Sequence, residues 1–139
     1  MPAETDQPGG PETWLRYAVS DLHFACVDAS DEIMREGLCF HAQQAAEKAI
    51  KAVFQRMGAE AWGHSVADLL KELARKQVVG EELADASLEL DKAYIPTRYP
   101  NAHPSGSPRS RYTKEEARRL TGYAEKIVQF CSNLLSEIQ

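Results

Sequence analysis

The sequence has few cysteines, and no two of them are spaced as a CxxC pair. Its three thiols, Cys26, Cys39 and Cys131, are odd in number, which favours reduced side chains buried as small apolar residues over a disulfide framework. Long apolar runs are also absent, and the N-terminus lacks the order of charged, apolar and small residues that marks a signal peptide. We therefore expect a cytoplasmic protein without disulfides or membrane spans.

Alternation of apolar and polar residues with a period of two, which is typical of strands, is missing over any useful length. Apolar residues recur instead at spacings of three and four. We therefore expect an all-α protein, an up-and-down bundle of four to five helices. The bundle is predicted to be one domain over residues 12–139, after a disordered leader over residues 1–11 that holds three prolines and two glycines.

The helical spacing occurs in five segments. Their predicted stripes run from Leu15 to Ala29, Leu38 to Met57, Val66 to Leu73, Leu83 to Leu90, and Ala117 to Ile138. Ser65 with Asp68 resembles a weak capping box before the third segment, and Thr113 with Glu116 forms a clear one before the last.

Three polar residues of the second segment allow specific expectations. Gln43 falls in its apolar sector and is either the centre of a hydrogen-bond network in the core or a contact to a partner. Glu47 and Lys51 are interpreted as a surface pair four residues apart.

The net charge of −5 argues against a protein coated for nonspecific nucleic-acid binding. The stretch from Arg98 to Arg119 departs from this average, because it contains six basic residues and only two acidic ones. Such a split favours one anion-facing patch on an acidic body, and a solvated loop beside a charged helix turn explains it equally well.

Four prolines recur at every fourth position between the last two predicted helices: Pro96, Pro100, Pro104 and Pro108. Each removes an amide donor and disfavours helix in the residue before it. We therefore expect a long proline-rich loop from Ile95 to Tyr112. Loops of this length tend to be functional or disordered.

Arg98 and His103 in this loop form an R-x4-H pair. The pair suits cleavage of a phosphodiester without metal, since imidazole can move the proton of a 2′-hydroxyl while guanidinium stabilises the charged phosphorus centre. An ordinary surface loop matches the same spacing, so both interpretations stay open. A zinc site is not expected, because the spacing of His23, Cys26, Cys39 and His41 suits no common ligand set. We expect no cofactor.

Two ordered motifs carry a family resemblance. Phe40 to Ala52 reads FHAQQAAEKAIKA, and Tyr94 to Pro100 reads YIPTRYP. Between them, Gly63, His64 and Ser65 precede a Leu69–Leu70 pair. With these motifs the chain resembles the HEPN domain family (higher eukaryotes and prokaryotes nucleotide-binding) over roughly residues 12–136, in particular its small prokaryotic members associated with minimal nucleotidyltransferases.

The resemblance implies a helical bundle that forms a homodimer. In the family's ribonucleases an R-x4-6-H motif from each subunit lies at a shared cleft, and Arg98 and His103 match that motif. The ribonuclease pattern often has a polar residue after the arginine and, in one subgroup, a tyrosine two positions after the histidine, whereas Tyr99 and Ser105 stand there in this sequence. The resemblance also implies pairing with a nucleotidyltransferase in a toxin–antitoxin type of system.

Two functions therefore remain open from the sequence. One is an RNA- or nucleotide-binding protein, with endoribonuclease activity as an extension, in which Arg98 and His103 are catalytic. Its binding residues would be Tyr99, Asn101, Arg109, Arg111 and Lys114. The alternative is a noncatalytic nucleotide-binding or protein-interaction module that partners a nucleotidyltransferase.

Overall fold

The computed structural model describes residues 10–27, 35–94 and 112–138 of the chain. The described residues form five α-helices and no strand, which confirms the all-α fold. The helices are α1 Pro11–Ala25, α2 Arg35–Arg56, α3 Val66–Leu73, α4 Glu81–Asp91 and α5 Lys114–Glu137. None of these helices is long and apolar enough to cross a membrane.

The first helix begins and ends earlier than its apolar pattern predicts. Pro11, which we assigned to the leader, is the first residue of α1, and Gly10 precedes it in an extended conformation. Proline suits this position because its fixed φ is helical and its missing N–H would have no partner there. The helix ends at Ala25, whereas Ala29, the last residue of the predicted stripe, lies outside the described residues.

Helix α2 lies at the centre of the bundle and contacts each of the other four helices. More than half of its residues are buried. Its fully buried small residues are Ala42, Ala45, Ala46, Ala49 and Ala52. Because alanine has the smallest apolar side chain that still favours helix, such rows allow neighbouring helices to approach closely.

The start of α3 is capped by two side chains, of which the sequence pattern identified one. The Ser65 hydroxyl accepts a hydrogen bond from the Asp68 amide at 3.1 Å, as the capping pattern predicts. The carboxylate of Asp91, at the end of α4, accepts bonds from the amides of Val66 and Ala67 at 2.6 and 3.0 Å and from the Ser65 hydroxyl at 2.7 Å. One carboxylate therefore joins the beginning of α3 to the end of α4.

Backbone groups at both ends of α5 form hydrogen bonds with side chains. The predicted capping box is confirmed, since the Thr113 hydroxyl accepts from the Glu116 amide and the Glu116 carboxylate accepts from the Thr113 amide, each at 3.0 Å. At the other end Arg56 of α2 donates to the carbonyls of Leu135 and Ile138 at 3.1 and 3.3 Å. These bonds pair carbonyls that the helix itself leaves without donors.

The three thiols occupy two environments. Cys39 and Cys131 are fully buried, as expected, but Cys26 is exposed and donates to the Glu125 carboxylate at 3.4 Å. Burial, with two nearby carboxylates, raises the pKa of Cys39 to about 12, and burial alone raises the pKa of Cys131 further. The pKa of Cys26 is also raised, by partial burial and by Glu125. All three side chains are therefore thiols, not thiolates, at neutral pH.

We expect a disulfide reagent at pH 8 to modify only Cys26 in the folded protein, and to do so slowly, because the thiolate is the reacting form. Cys39 and Cys131 should react only after unfolding, and Cys26→Ser should remove the native reaction. Modification of either buried thiol at the native rate would contradict this assignment. Because the folded pKa of Cys39 lies above its ordinary value of 9.0, this thiol favours the folded state below about pH 9, and that contribution is lost as the pH rises toward 12.

Candidate functional site

Most of the site residues predicted from the sequence lie outside the described residues. These are Arg98, Tyr99, Asn101, His103, Arg109 and Arg111, together with the loop that contains them. Lys114 is described. It is the first residue of α5, and its side chain is exposed.

The described residues on either side of the loop are both in contact with the first part of α2. The ring of Tyr94 lies 6.1 Å from the ring of Phe40, and the carbonyl of Tyr112 accepts a hydrogen bond from Arg35 at 3.1 Å. Arg35 and Phe40 are separated by five positions on one helix, which is a rise of about 7.5 Å. The segment of the chain that carries the predicted motif therefore begins and ends near the same two turns of α2.

His64 lies beside the first of these two ends. Its ring is stacked on Tyr94, with the ring centres 5.1 Å apart and the planes 13° from parallel. The preceding residue, Gly63, has a φ of +90°, which side-chain-bearing residues rarely adopt, so glycine allows the turn that delivers His64 to this place. The imidazole of His64 is more than half exposed, whereas the carboxylate that contacts its Nδ1 atom is almost fully buried.

That partner is the carboxylate of Glu47, which is only 3% exposed. The Nδ1 atom of His64 lies 3.3 Å from both carboxylate oxygens. The ammonium of Lys51 lies 3.2 Å from the same carboxylate. The predicted pair of Glu47 and Lys51 is thus present, but the expectation that it lies on the surface is wrong, because the carboxylate faces inward to the histidine.

A buried amide holds the backbone of His64 as well. Gln43, which is fully buried, donates from its side chain to the His64 carbonyl at 2.8 Å. Gln44 in turn donates to the Gln43 side-chain oxygen at 2.8 Å. Of the two interpretations of Gln43, the structure supports the hydrogen-bond network in the core. Buried polar networks of this kind rigidify the groups that they connect.

A small pocket opens next to the imidazole. It has a volume of about 280 Å³ and is lined by His64, Ser65, Asp91 and Tyr94. The Asp91 carboxylate is held by the start of α3, so the floor of the pocket is fixed by backbone contacts. The pocket presents an imidazole and an aromatic ring to any bound group.

A second histidine, which belongs to α2 itself, is bound differently. His41 lies 2.8 Å from the Asp21 carboxylate of α1, which also accepts from Lys48 at 2.7 Å. The ring of Phe24 lies 4.2 Å from the His41 ring. Both carboxylate oxygens and one face of the imidazole are occupied, so this cluster joins α1 to α2.

These rings form a continuous row across the surface, from Phe24 through His41, Phe40 and Tyr94 to His64, with neighbouring centres 4.2 to 6.1 Å apart. Aromatic and imidazole rings provide stacking surfaces for nucleobases, and a held imidazole can transfer a proton. The described residues contain no cluster of three or more side chains able to hold a metal ion.

Sequence reasoning missed His64 and Glu47 as site residues. His64 was recognised only as part of a motif, and Glu47 only as one half of a surface pair. A signal was present, because Gln43 and Glu47 are four positions apart on one side of α2. Two polar residues in a buried sector call for a shared partner, but that partner, His64, comes from another element.

The fold and this cluster define a small all-helical protein with a polar network built around one exposed histidine. The HEPN domain family matches residues 11–134. The chain therefore belongs to the HEPN domain family.

Solved structures of similar proteins agree with this assignment. TT1696 from Thermus thermophilus is 41% identical, with 89% of this chain and 97% of that chain covered and a TM-score of 0.82. An HEPN domain protein from Thermotoga maritima is 50% identical, with coverage of 91% and 99% and a TM-score of 0.73. ST0689, an archaeal HEPN homologue, is 32% identical, with coverage of 91% and 98% and a TM-score of 0.75. No curated protein matches the chain.

Proposed function

We propose that this protein binds RNA through the segment from Tyr94 to Lys114 and cleaves it without a metal ion. Arg98 is the clamp that holds the phosphate and stabilises its developing charge, and His103 is the general base that accepts the proton of the 2′-hydroxyl. The proposed binding residues around this pair are Tyr99, Asn101, Arg109, Arg111 and Lys114.

The observation that carries this proposal is the placement of the two described ends of the segment. Tyr94 is stacked on His64, which a buried carboxylate holds, and Tyr112 is bonded to Arg35 on the same part of α2. The segment from Tyr94 to Lys114, which contains most of the basic stretch, thus begins beside a polar network and an exposed imidazole. Lys114 adds an exposed positive charge where the segment ends. Membership of the HEPN family supports the same assignment.

The proposal includes an assembly. The protein acts as a homodimer and as one member of a toxin–antitoxin type of pair, with a nucleotidyltransferase as the second member. Light scattering of the purified protein tests whether it is a homodimer. Co-purification with the product of a neighbouring gene tests the pairing with a nucleotidyltransferase.

Cleavage of RNA by the purified protein in EDTA tests the catalytic part. We expect the wild-type protein to cut single-stranded or structured RNA and to leave a 2′,3′-cyclic phosphate. His103→Ala should slow cleavage by about 100-fold or more, which is the usual contribution of a general base. The matched control is His23→Ala, which removes an exposed histidine of α1 and should leave the rate unchanged.

Equal activity of the wild-type and His103→Ala proteins would indicate a contaminating nuclease and remove the catalytic proposal. Calorimetry with ATP, GTP and a short RNA then shows whether the protein binds a nucleotide or RNA at all. Binding without cleavage would favour the noncatalytic module that partners a nucleotidyltransferase.

A further inference from the structure

Two carboxylates beside the polar face of α2 are each bonded to one histidine and one lysine. The two sets are Asp21 with His41 and Lys48, and Glu47 with His64 and Lys51. In each of these four ion pairs the carboxylate is the less exposed partner. In the ion pair of Lys126 with Glu82, by contrast, the carboxylate is the more exposed partner. The surface above the two sets therefore presents imidazole and ammonium groups and covers the negative charges.

The nitrogen-bearing side chains of the two sets form a line along α2. Lys48 follows His41 by seven positions, which returns to nearly the same side of the helix after a rise of about 10 Å. Lys51 follows three positions later, and its ammonium lies 3.2 Å from the carboxylate that contacts His64. The line therefore runs from His41 to His64. Positive groups in a line, with their counter-charges covered, suit a chain of phosphates.

The row of rings follows the same surface, because His41 and His64 belong both to the row and to the two sets. Phe40 and Tyr94 lie between them, and Phe24 forms the end of the row beside His41. Phe24 is 45% exposed, and leaving so much apolar ring surface in water is unfavourable. Proteins that bind single-stranded nucleic acids combine aromatic rings for stacking with a positively charged path for the backbone. The described residues hold both parts of such a surface.

We propose that this surface binds single-stranded RNA. Its residues, together called the strand-binding strip, are Phe24, Phe40, His41, Lys48, Lys51, His64 and Tyr94. One base stacks on Phe24 at one end of the strip and another on His64 at the other end, while the ammonium of Lys48 binds a phosphate between them. The inference rests on the proposed function for the identity of the ligand, and it adds a binding surface that extends over α1 and α2.

The strip contacts the faces of bases and the phosphates, not the edges of bases or the sugars. Stacking tolerates every base, because each base has an aromatic face. Discrimination of RNA from DNA requires a contact to the 2′-hydroxyl. We therefore expect the strip to bind single-stranded RNA and DNA of equal length with similar affinity. Binding of a duplex should be much weaker, since its base faces are already stacked on one another.

Binding of a strand that cannot be cleaved tests the stacking contact. The probe is a fluorescently labelled single-stranded DNA of about ten nucleotides, which has no 2′-hydroxyl, and fluorescence anisotropy measures its affinity. Phe24→Leu should weaken binding about 5-fold or more, because leucine has no ring for stacking, whereas Phe24→Trp should retain the wild-type affinity. Tyr123→Leu, which removes a ring of α5, is the matched control and should bind as the wild type does. Circular dichroism verifies that each variant is folded.

The salt dependence of binding tests the phosphate contact. Lys48→Gln should reduce the slope of the logarithm of the binding constant against the logarithm of the salt concentration by about 0.7, the value for one phosphate of a single strand. Asp21 keeps His41 as a partner in this variant. Lys126→Gln removes a lysine that is likewise paired with a carboxylate of another helix, and it should leave the slope unchanged.

Three results would overturn the strip. Wild-type affinity of Phe24→Leu, or an unchanged slope for Lys48→Gln, would place the bound strand elsewhere and leave the proposed function intact. Equal losses of affinity for Phe24→Leu and Phe24→Trp would show that Phe24 has a structural role only. A wild-type protein that does not bind the DNA contradicts the strip as well, and the cleavage of RNA in EDTA then decides the proposed function separately.

Discussion

Replacing Glu47 with alanine should lower the free energy of unfolding by about 3 kcal/mol or more, since breaking one side of a buried ion pair leaves the other charge without compensation. The group left behind is Lys51, whose side chain is only 14% exposed and whose ammonium lies 5.7 Å from the centre of the Trp14 ring. The imidazole of His64 loses its partner at the same time. Urea unfolding followed by circular dichroism measures the change.

The matched control is an ion pair of similar sequence spacing on the surface. Glu72 and Arg75 lie 3.1 Å apart with both side chains more than half exposed. Glu72→Ala should change the free energy of unfolding by less than about 0.5 kcal/mol. A double-mutant cycle of Glu47→Ala with Lys51→Ala then isolates the interaction of the buried pair. If the two glutamate variants cost the same, the buried pair does not stabilise the fold.

Replacing Asp91 with alanine should cost about 2 to 3 kcal/mol. Its carboxylate accepts hydrogen bonds from two amides of the first turn of α3 and from Ser65. Removing a side chain that caps a helix N-terminus costs about 0.5 to 2 kcal/mol, and the favourable interaction of an acid with the helix dipole adds up to about 1 kcal/mol. Removal leaves the amides of Val66 and Ala67 without this acceptor. Thermal and urea unfolding of the variant measure the loss.

Asp68→Ala provides the comparison, because Asp68 is the acid that the sequence pattern placed in the cap. Within the described residues its carboxylate makes no hydrogen bond, and only its amide contacts Ser65. We expect Asp68→Ala to cost a few tenths of a kcal/mol from the helix dipole alone. A larger loss for Asp68→Ala than for Asp91→Ala would reverse the assignment of the cap.

The fold could be predicted where local sequence determines structure. The capping box of Thr113 and Glu116 and the long apolar stripe that follows it define α5 almost to the residue. Helix α2 begins at Arg35, three residues before its apolar stripe, because polar residues can form a first helical turn as readily as apolar ones. Helix α1 ends at Ala25, and the apolar spacing alone gave no signal for an end at this residue.

The site depended on contacts between segments, which a single sequence reveals poorly. Gln43 could be predicted to need a partner, but nothing local indicates that the partner is the carbonyl of a residue 21 positions away. The role of Asp91 could not be predicted for the same reason, since the two amides that donate to it belong to residues 24 and 25 positions earlier. Arg98 and His103, in contrast, were identified from their spacing and from the family resemblance alone. They remain sequence predictions.

The central position of α2 has a consequence for how the domain can be divided. Every other helix contacts α2, so a cut in any connection leaves one fragment without the surface that its apolar side chains cover. Such fragments have no core of their own and should remain unfolded alone. Mixed together, they can recover the domain only by association. The domain is therefore suited to use as a split reporter, in which folding of the two fragments shows that they have associated.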